Sequence, residues 1–203
     1  MSVSPARRRL SPEARREMIL DETAQLILDE GVSGVSMERL GREAGISKGL
    51  VYAYFPSRDD LLSALLLREH RRFQMKARDL LAHATGFENI VRATTSAWLD
   101  HIVAHGSLIE RLTNEPEIAK VIEDVDAHDR PFTARHFGLE IAHRYGLDLE
   151  LSVTLADLLM GLTGAAGDHI HRTGADAEDI RDLTVKMIFA ALADFAGEGV
   201  PAV

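Results

Sequence analysis

Residues 38–55 read ERLGREAGISKGLVYAYF. The stretch predicts two short helices joined by a tight turn. Met37, Leu40, Gly41 and Ala44 recur at i, i+3, i+4 and i+7, which makes one apolar or small helix face. Gly45 stops that helix, because glycine tolerates the left-handed conformation found just past a helix end. Ile46 is apolar inside the turn and is expected to plug the angle between the helices. Ser47 can cap a second helix, Lys48 to Phe55, by accepting a backbone N–H. Two helices in this arrangement make a helix-turn-helix, whose second helix lies in the major groove of DNA. On that helix Lys48, Gly49, Tyr52 and Ala53 face outward. They offer a cation, a close backbone approach and a phenol hydroxyl to phosphates and base edges.

Towards the N-terminus, Ser11-Pro12-Glu13 opens a helix with a cap, a proline in the first turn and an acid at the positive end of the dipole. Ile19, Thr23, Leu26 and Ile27 mark one face of it, and Gly31 ends it. Ser36 caps the next helix, and its hydroxyl is also in position to meet a phosphate. Residues 1–10 carry Arg7, Arg8 and Arg9 with no apolar periodicity. They read either as a solvated tail or as a basic arm laid along phosphates or in a minor groove. Towards the C-terminus, Pro56 to Asp60 start a fourth helix, with Ser57 as cap and Asp60 at the third position. Arg58 falls in the first turn, where a cation opposes the dipole, and this suggests an external partner such as phosphate. Leu61, Leu62, Leu65 and Leu66 begin an apolar stripe that Phe73, Ala77, Leu80 and Leu81 continue. Such a helix is long enough to leave a small head and enter a larger body.

At 203 residues the chain can bury a real core, and its 46% hydrophobic and 27% charged residues are ordinary for a globular protein. It has no cysteine, which excludes disulfides, thiolate metal sites and cysteine nucleophiles. No apolar run approaches the roughly 18 residues that span a bilayer, and Ser11-Pro12-Glu13 and further arginines follow the N-terminal arginines in place of a signal-peptide core. The expectation is a cytoplasmic protein without a membrane partner. The net charge of −9 is unevenly placed. Residues 1–80 hold 14 Lys/Arg and 12 Asp/Glu, net +2, against 9 and 20 in residues 81–203, net −11. Cations stand where DNA would lie, in the arm and at Arg39, Arg42, Lys48 and Arg58. A small DNA-reading head on an acidic body fits this split.

From Ile19 to Leu67 the chain resembles the DNA-binding domain of the TetR family of bacterial transcription regulators. The likeness rests on Ile19-Leu20, Gly31, Val35-Ser36-Met37, Leu40, the run from Glu43 to Gly49, Tyr52, Tyr54-Phe55, Ser57-Arg58 and Leu61-Leu62. It covers about a quarter of the chain. It implies an all-α protein of about nine helices: a three-helix head, a long fourth helix, and a C-terminal body that binds ligand and dimerises. It also implies a homodimer on a palindromic DNA operator, released by a small-molecule effector. The corresponding division is 1–10 for the arm, 11–57 for the DNA-binding domain and 58–203 for the body. The DNA-facing set is Ser36, Ser47, Lys48, Gly49, Leu50, Tyr52, Ala53 and Arg58, with Arg7, Arg8 and Arg9 of the arm. The likeness assigns Lys48 and Tyr52 to phosphates. Leu50 and Ala53 depart from the family pattern, in which hydroxyl, alanine or polar residues are frequent. They point either to thymine methyls or, for Leu50, to the core.

In the body, helices are expected over 87–102, 107–113, 117–126 and 133–145, with Arg130-Pro131 as an interruption. Two further helices follow. One is capped by Asp148 and carries a row of small residues, Gly161, Gly164 and Gly167, which suggests close approach of another helix. The other is capped by Asp176. Their wide apolar faces, and the resemblance, point to a dimer interface of Leu155, Leu158, Leu162 and Ala165 with Ile180, Leu183, Met187, Ala191 and Phe195. The effector contacts suggested are Trp98, His101, His105, Leu112, Phe132, His136, Phe137 and Leu159, a lining suited to a mostly apolar molecule with one polar group. His101 and His105, and His169 and His171, lack the carboxylate pattern of a metal motif. Nothing supports a metal, a cofactor, a catalytic residue or an enzyme. The rival reading is an all-helical small-molecule enzyme or carrier with an incidental helix-turn-helix, which would show turnover or transport and no specific duplex binding.

Overall fold

The computed structural model describes residues 10–197, so Arg7, Arg8 and Arg9 lie outside the described residues. Within them every regular element is helical. The order is α1 (Pro12–Glu30), a 3-10 turn (Val32–Gly34), α2 (Met37–Glu43), α3 (Lys48–Tyr54), α4 (Arg58–His83), α5 (Phe87–Thr113), α6 (Pro116–Tyr145), α7 (Leu149–Thr173) and α8 (Ala177–Gly197).

The caps form where the sequence puts them. The side chains of Ser11, Ser36, Ser47 and Ser57 accept from Ala14 N, Arg39 N, Leu50 N and Asp60 N at 3.0–3.2 Å. Asp148 and Asp176 cap α7 and α8 in the same way. Each satisfies a donor that the first helical turn leaves open.

Two expected breaks do not occur, so eight α-helices replace about nine among the described residues. Helix α5 runs straight through Gly106, whose lack of a side chain serves packing. A Cβ there would stand 3.0 Å from His171 Nδ1 on α7. Helix α6 runs through Pro131. Proline costs the helix one hydrogen bond, but Pro131 and Ala127, whose carbonyl loses its partner, both face solvent.

One buried cluster gathers Ile19, Leu20 and Ile27 of α1, Leu40 of α2, Val51 of α3 and Leu61, Leu62 and Leu65 of α4. Leu108 and Leu112 of α5 and Ile118 of α6 belong to it as well, so the head is seated on the body. A second cluster, centred on Phe87, Val91, Ile141, Leu155, Ile188 and Leu192, holds the body helices together. Helices α6 and α7 come closest at Gly138, where a Cβ would stand 2.6 Å from Val153 Cγ2.

Helix α7 corrects the statement about apolar runs. By length and composition it is apolar enough to cross a membrane. Asp157 and scattered threonines interrupt a strict run, yet glycine and alanine keep the average apolar. Length and composition alone do not distinguish a spanning helix from a packed one, and α7 packs along α5, α6 and α8.

Candidate nucleic-acid interface and body cavity

Helix α3 is pinned by its inner face and open on its outer one. Val51 is 0% and Phe55 2% exposed, while Lys48, Gly49, Leu50, Tyr52 and Ala53 all face solvent. The turn before it is tight. Gly45 adopts φ +64°, and Ile46 N donates to Gly41 O at 2.8 Å. A Cβ on Gly41 would stand 3.0 Å from Ile46 O and 3.2 Å from Lys48 N, so only glycine lets α2 approach the start of α3 this closely. Ile46 is half-buried against the head cluster, as expected of a plug.

The outer face is ready for an anion. Nothing lies within 4 Å of where a Cβ of Gly49 would stand, which leaves its backbone approachable. Lys48 Nζ stands 3.5 Å from Glu38 Oε2, and both are exposed. Such a pair is weak in water and is readily exchanged for a phosphate. Ser36 and Ser47 use an oxygen lone pair as caps, which leaves each hydroxyl hydrogen free to be donated outward. Arg42 is largely exposed, with Glu43 3.6 Å away.

Two other cations have partners inside the protein. Arg58 donates from Nε to Val35 O at 3.2 Å and from Nη2 to Val32 O at 2.8 Å. Its place in the first turn of α4 thus has an internal cause, since it ties α4 to the 3-10 turn. Arg39 makes a two-pronged pair with Glu30. This hydrogen bonding holds the Glu30 carboxyl below its ordinary range and raises the Arg39 guanidinium.

In the body, a cavity of about 60 Å³ lies among α5, α6, α7 and α8. Its wall is apolar, with Phe87, Phe137, Leu159 and Met160, and Thr94 and Thr163 supply hydroxyls. Of the eight suggested effector contacts, only Phe137 and Leu159 line it. Trp98 and His101 instead form an aromatic group with Phe73 of α4, at centroid distances of 5.3 and 5.6 Å from it. Gly167 is the close neighbour that the small-residue row suggested. A Cβ there would stand 2.7 Å from Trp98 Nε1, whereas Gly164 has nothing within 4 Å. Burial, more than its neighbours His105 and His70, pushes the His101 imidazole down to about 4. Leu112 is sealed in the head cluster. Phe132 and His136 are on the surface of α6, and His105 lines a different cavity.

The suggested dimer residues divide as well. Leu158, Leu183, Met187 and Phe195 are exposed apolar side chains along α7 and α8, with Ala165 exposed among them. Leu162, Ile180 and Ala191 are half-buried. Leu155 faces inward and belongs to the body cluster of its own protomer.

One feature of α4 escaped the sequence reading. Glu69 is fully buried and Arg68 nearly so. The signal was present, because Glu69 follows Leu65 and precedes Phe73 by four residues each, placing a carboxylate on the apolar stripe.

The sequence pattern described as bacterial regulatory proteins, tetR family, matches residues 19–65, which run from α1 into α4. Over those residues the chain carries the DNA-binding domain of the TetR family. The HTH-type transcriptional activator FasR of Mycolicibacterium smegmatis is 28% identical over 121 residues, covering 57% of this chain and 55% of that protein. The repressor KstR of Mycobacterium tuberculosis is 36% identical over 77 residues, covering 37% and 35%. The chain thus spans about half or less of the length of these curated relatives. A TetR-like regulator from Rhodococcus sp. RHA1 superposes with TM-score 0.72 at 20% identity, over 91% of this chain and 99% of that one. At that identity the agreement concerns the fold, and it extends the likeness from the head to the body.

Proposed function

We propose that the protein is a DNA-binding transcriptional regulator, a repressor that sits on a palindromic operator as a homodimer and is released by a small molecule. The observation that carries this reading is the exposed face of α3. Lys48, Gly49, Tyr52 and Ala53 are held outward by a helix whose inner residues are sealed. The curated relatives are named as transcriptional regulators, activator and repressor among them, which supports regulation ahead of an enzyme or carrier.

The division of labour follows the sequence boundaries. Residues 11–57 read DNA, with Ser36, Ser47, Leu50 and the arm arginines 7–9 adding contacts, and residues 58–203 bind ligand and dimerise. Leu158, Leu183, Met187 and Phe195 form the centre of the interface. A protein that meets its operator on a bacterial chromosome works in the cytoplasm. The effector is a mostly apolar molecule entering beside Phe137 and Leu159. A cavity of about 60 Å³ is far below the roughly 300 Å³ at which ordinary ligand pockets begin. The effector therefore displaces the walls on entry, and a ligand shifts an equilibrium only by preferring one state.

The test is selection of bound duplexes from a random pool with the ligand-free protein. The expected result is an inverted repeat whose half-sites lie about 34–36 Å apart, one helical turn. Lys48→Ala should then lower operator affinity about five- to tenfold and reduce the salt slope by about one counterion. No enriched sequence at low salt, or an unchanged slope in Lys48→Ala, would sink the reading.

A further inference from the structure

A cavity of about 280 Å³ lies where α1, α4 and α5 meet, at the seat of the head on the body. At its floor lies the buried carboxylate of Glu69. Glu69 Oε1 accepts from Arg68 Nε at 3.1 Å and from Arg72 Nη1 at 3.0 Å, and His105 Nδ1 stands 3.2 Å from Oε2. Arg68 Nη1 crosses to α1, 2.7 Å from Asp21 Oδ1 and 3.4 Å from Glu17 Oε2.

A carboxylate so surrounded has its acceptors engaged, whereas a guanidinium carries five donors. Among the described residues, Arg68 Nη2 makes no hydrogen bond, and Arg72 Nη2 only stands 3.8 Å from Asp21. The floor thus has donors to spare. The wall is apolar and uncovered: Leu28 is 40% and Val103 59% exposed, with Ala24 and Leu108 beside them. Spare guanidinium donors beside bare aliphatic surface match a molecule that is anionic at one end and aliphatic at the other. The volume is at the small end of ligand pockets, which limits the aliphatic part to a short chain.

We propose that this cavity binds a small organic acid, with its carboxylate on the Nη2 groups of Arg68 and Arg72 and its aliphatic part against Leu28 and Val103. Arginine suits the role because its planar fork pairs with a carboxylate at two points. The site joins three elements, since Arg68 and Arg72 stand on α4, Leu28 on α1 and Val103 on α5. Arg111 of α5 already reaches the Leu28 carbonyl at 2.7 Å, so a bound acid would add a further tie between head and body on the same flank. Asp21 is the one exposed carboxylate on the lining, and it competes with the ligand for the same donors. Binding itself does not depend on the regulatory reading; only its effect on operator affinity does.

The test is calorimetric titration of the full chain, without DNA, with butyrate, isovalerate and butylamine. The expected result is saturable binding of both acids and none of the amine. Arg72→Gln should weaken the acids at least tenfold in a chain that circular dichroism shows to be folded, and Asp21→Asn should tighten them. A third variant, Leu159→Phe, fills the other cavity and should leave binding intact. The proposal is overturned if neither acid binds saturably, if acid and amine bind alike, if folded Arg72→Gln binds as well as the parent, or if Leu159→Phe alone abolishes binding. Because no operator is involved, failure here and failure of the duplex selection are separate results.

Discussion

In the head, Ile19, Leu20, Ile27, Leu40 and Leu62 lose all their contact with solvent within one protomer. On the outer side of the body, Leu158 keeps 64% of its surface exposed, Leu183 52% and Met187 47%. The α7–α8 layer is the more apolar of the two regions and the less closed. The head closes its core because three short helices and the start of α4 surround one centre, with the α5–α6 corner beneath. The α7–α8 layer has helices on its inner side only. A half-covered apolar layer of this kind marks an interaction surface, and the head needs no such partner to be complete.

The largest test of this contrast is Leu62→Ala. Removing a fully buried leucine should cost about 2–5 kcal/mol in denaturant unfolding, while Leu158→Ala should change protomer stability by about 0.5 kcal/mol or less. Equal losses at the two sites would erase the distinction. Next in size is Leu183→Glu combined with Met187→Glu. In the proposed homodimer the carboxylates would be buried against their symmetry mates, and sedimentation should show weakened self-association, by at least about thirtyfold or roughly 2 kcal/mol. Unaltered association would move the interface elsewhere.

Acid should weaken the body through His101. Its folded value is pushed down to about 4, below the ordinary 6.5, so the unfolded chain takes up the proton first. Stability contributed by the neutral ring is intact above about pH 6.5 and is lost as the pH falls towards about 4, on the order of 2 kcal/mol. His70, lowered by burial, acts in the same direction. Melting curves of His101→Leu across that interval should be flatter than the parent's, and parallel curves would remove His101 as the cause. The smallest effect is at Gly164, where a Cβ meets nothing within 4 Å. Gly164→Ala should raise protomer stability by about 0.5–1 kcal/mol through helix propensity. A simultaneous loss of dimer affinity would show that the partner packs against that glycine.

What was legible in the sequence was local. Ser11, Ser36, Ser47, Ser57, Asp148 and Asp176 cap their helices with bonds that reach only two or three residues along the chain. Gly45 and the face around Val51 are similarly short-range, so the turn and its outward residues were readable. Gly106 misled because tertiary contact with His171 overrode local preference, and Pro131 because the hydrogen bond it removes lies on a solvated face. The effector set dispersed because helix crossings, which periodicity does not encode, decide which residues share a cavity. Leu112 is apolar and correctly spaced, yet α5 has reached the head by that point. Glu69 could have been caught, since a carboxylate on an apolar stripe demands a buried partner.

Helix α4 is unbroken for 26 residues, which at about 1.5 Å per residue makes a rod of roughly 39 Å. A tilt of only about 5° at its body end carries the other end through roughly 3 Å over that length. That is close to the ~3.4 Å rise per base pair along the DNA axis. In the proposed regulator, a lever this long would convert a wall displacement too slight to disturb the packed core into a misregister of about one base pair, so fine control of DNA contact would need no large rearrangement of the protein.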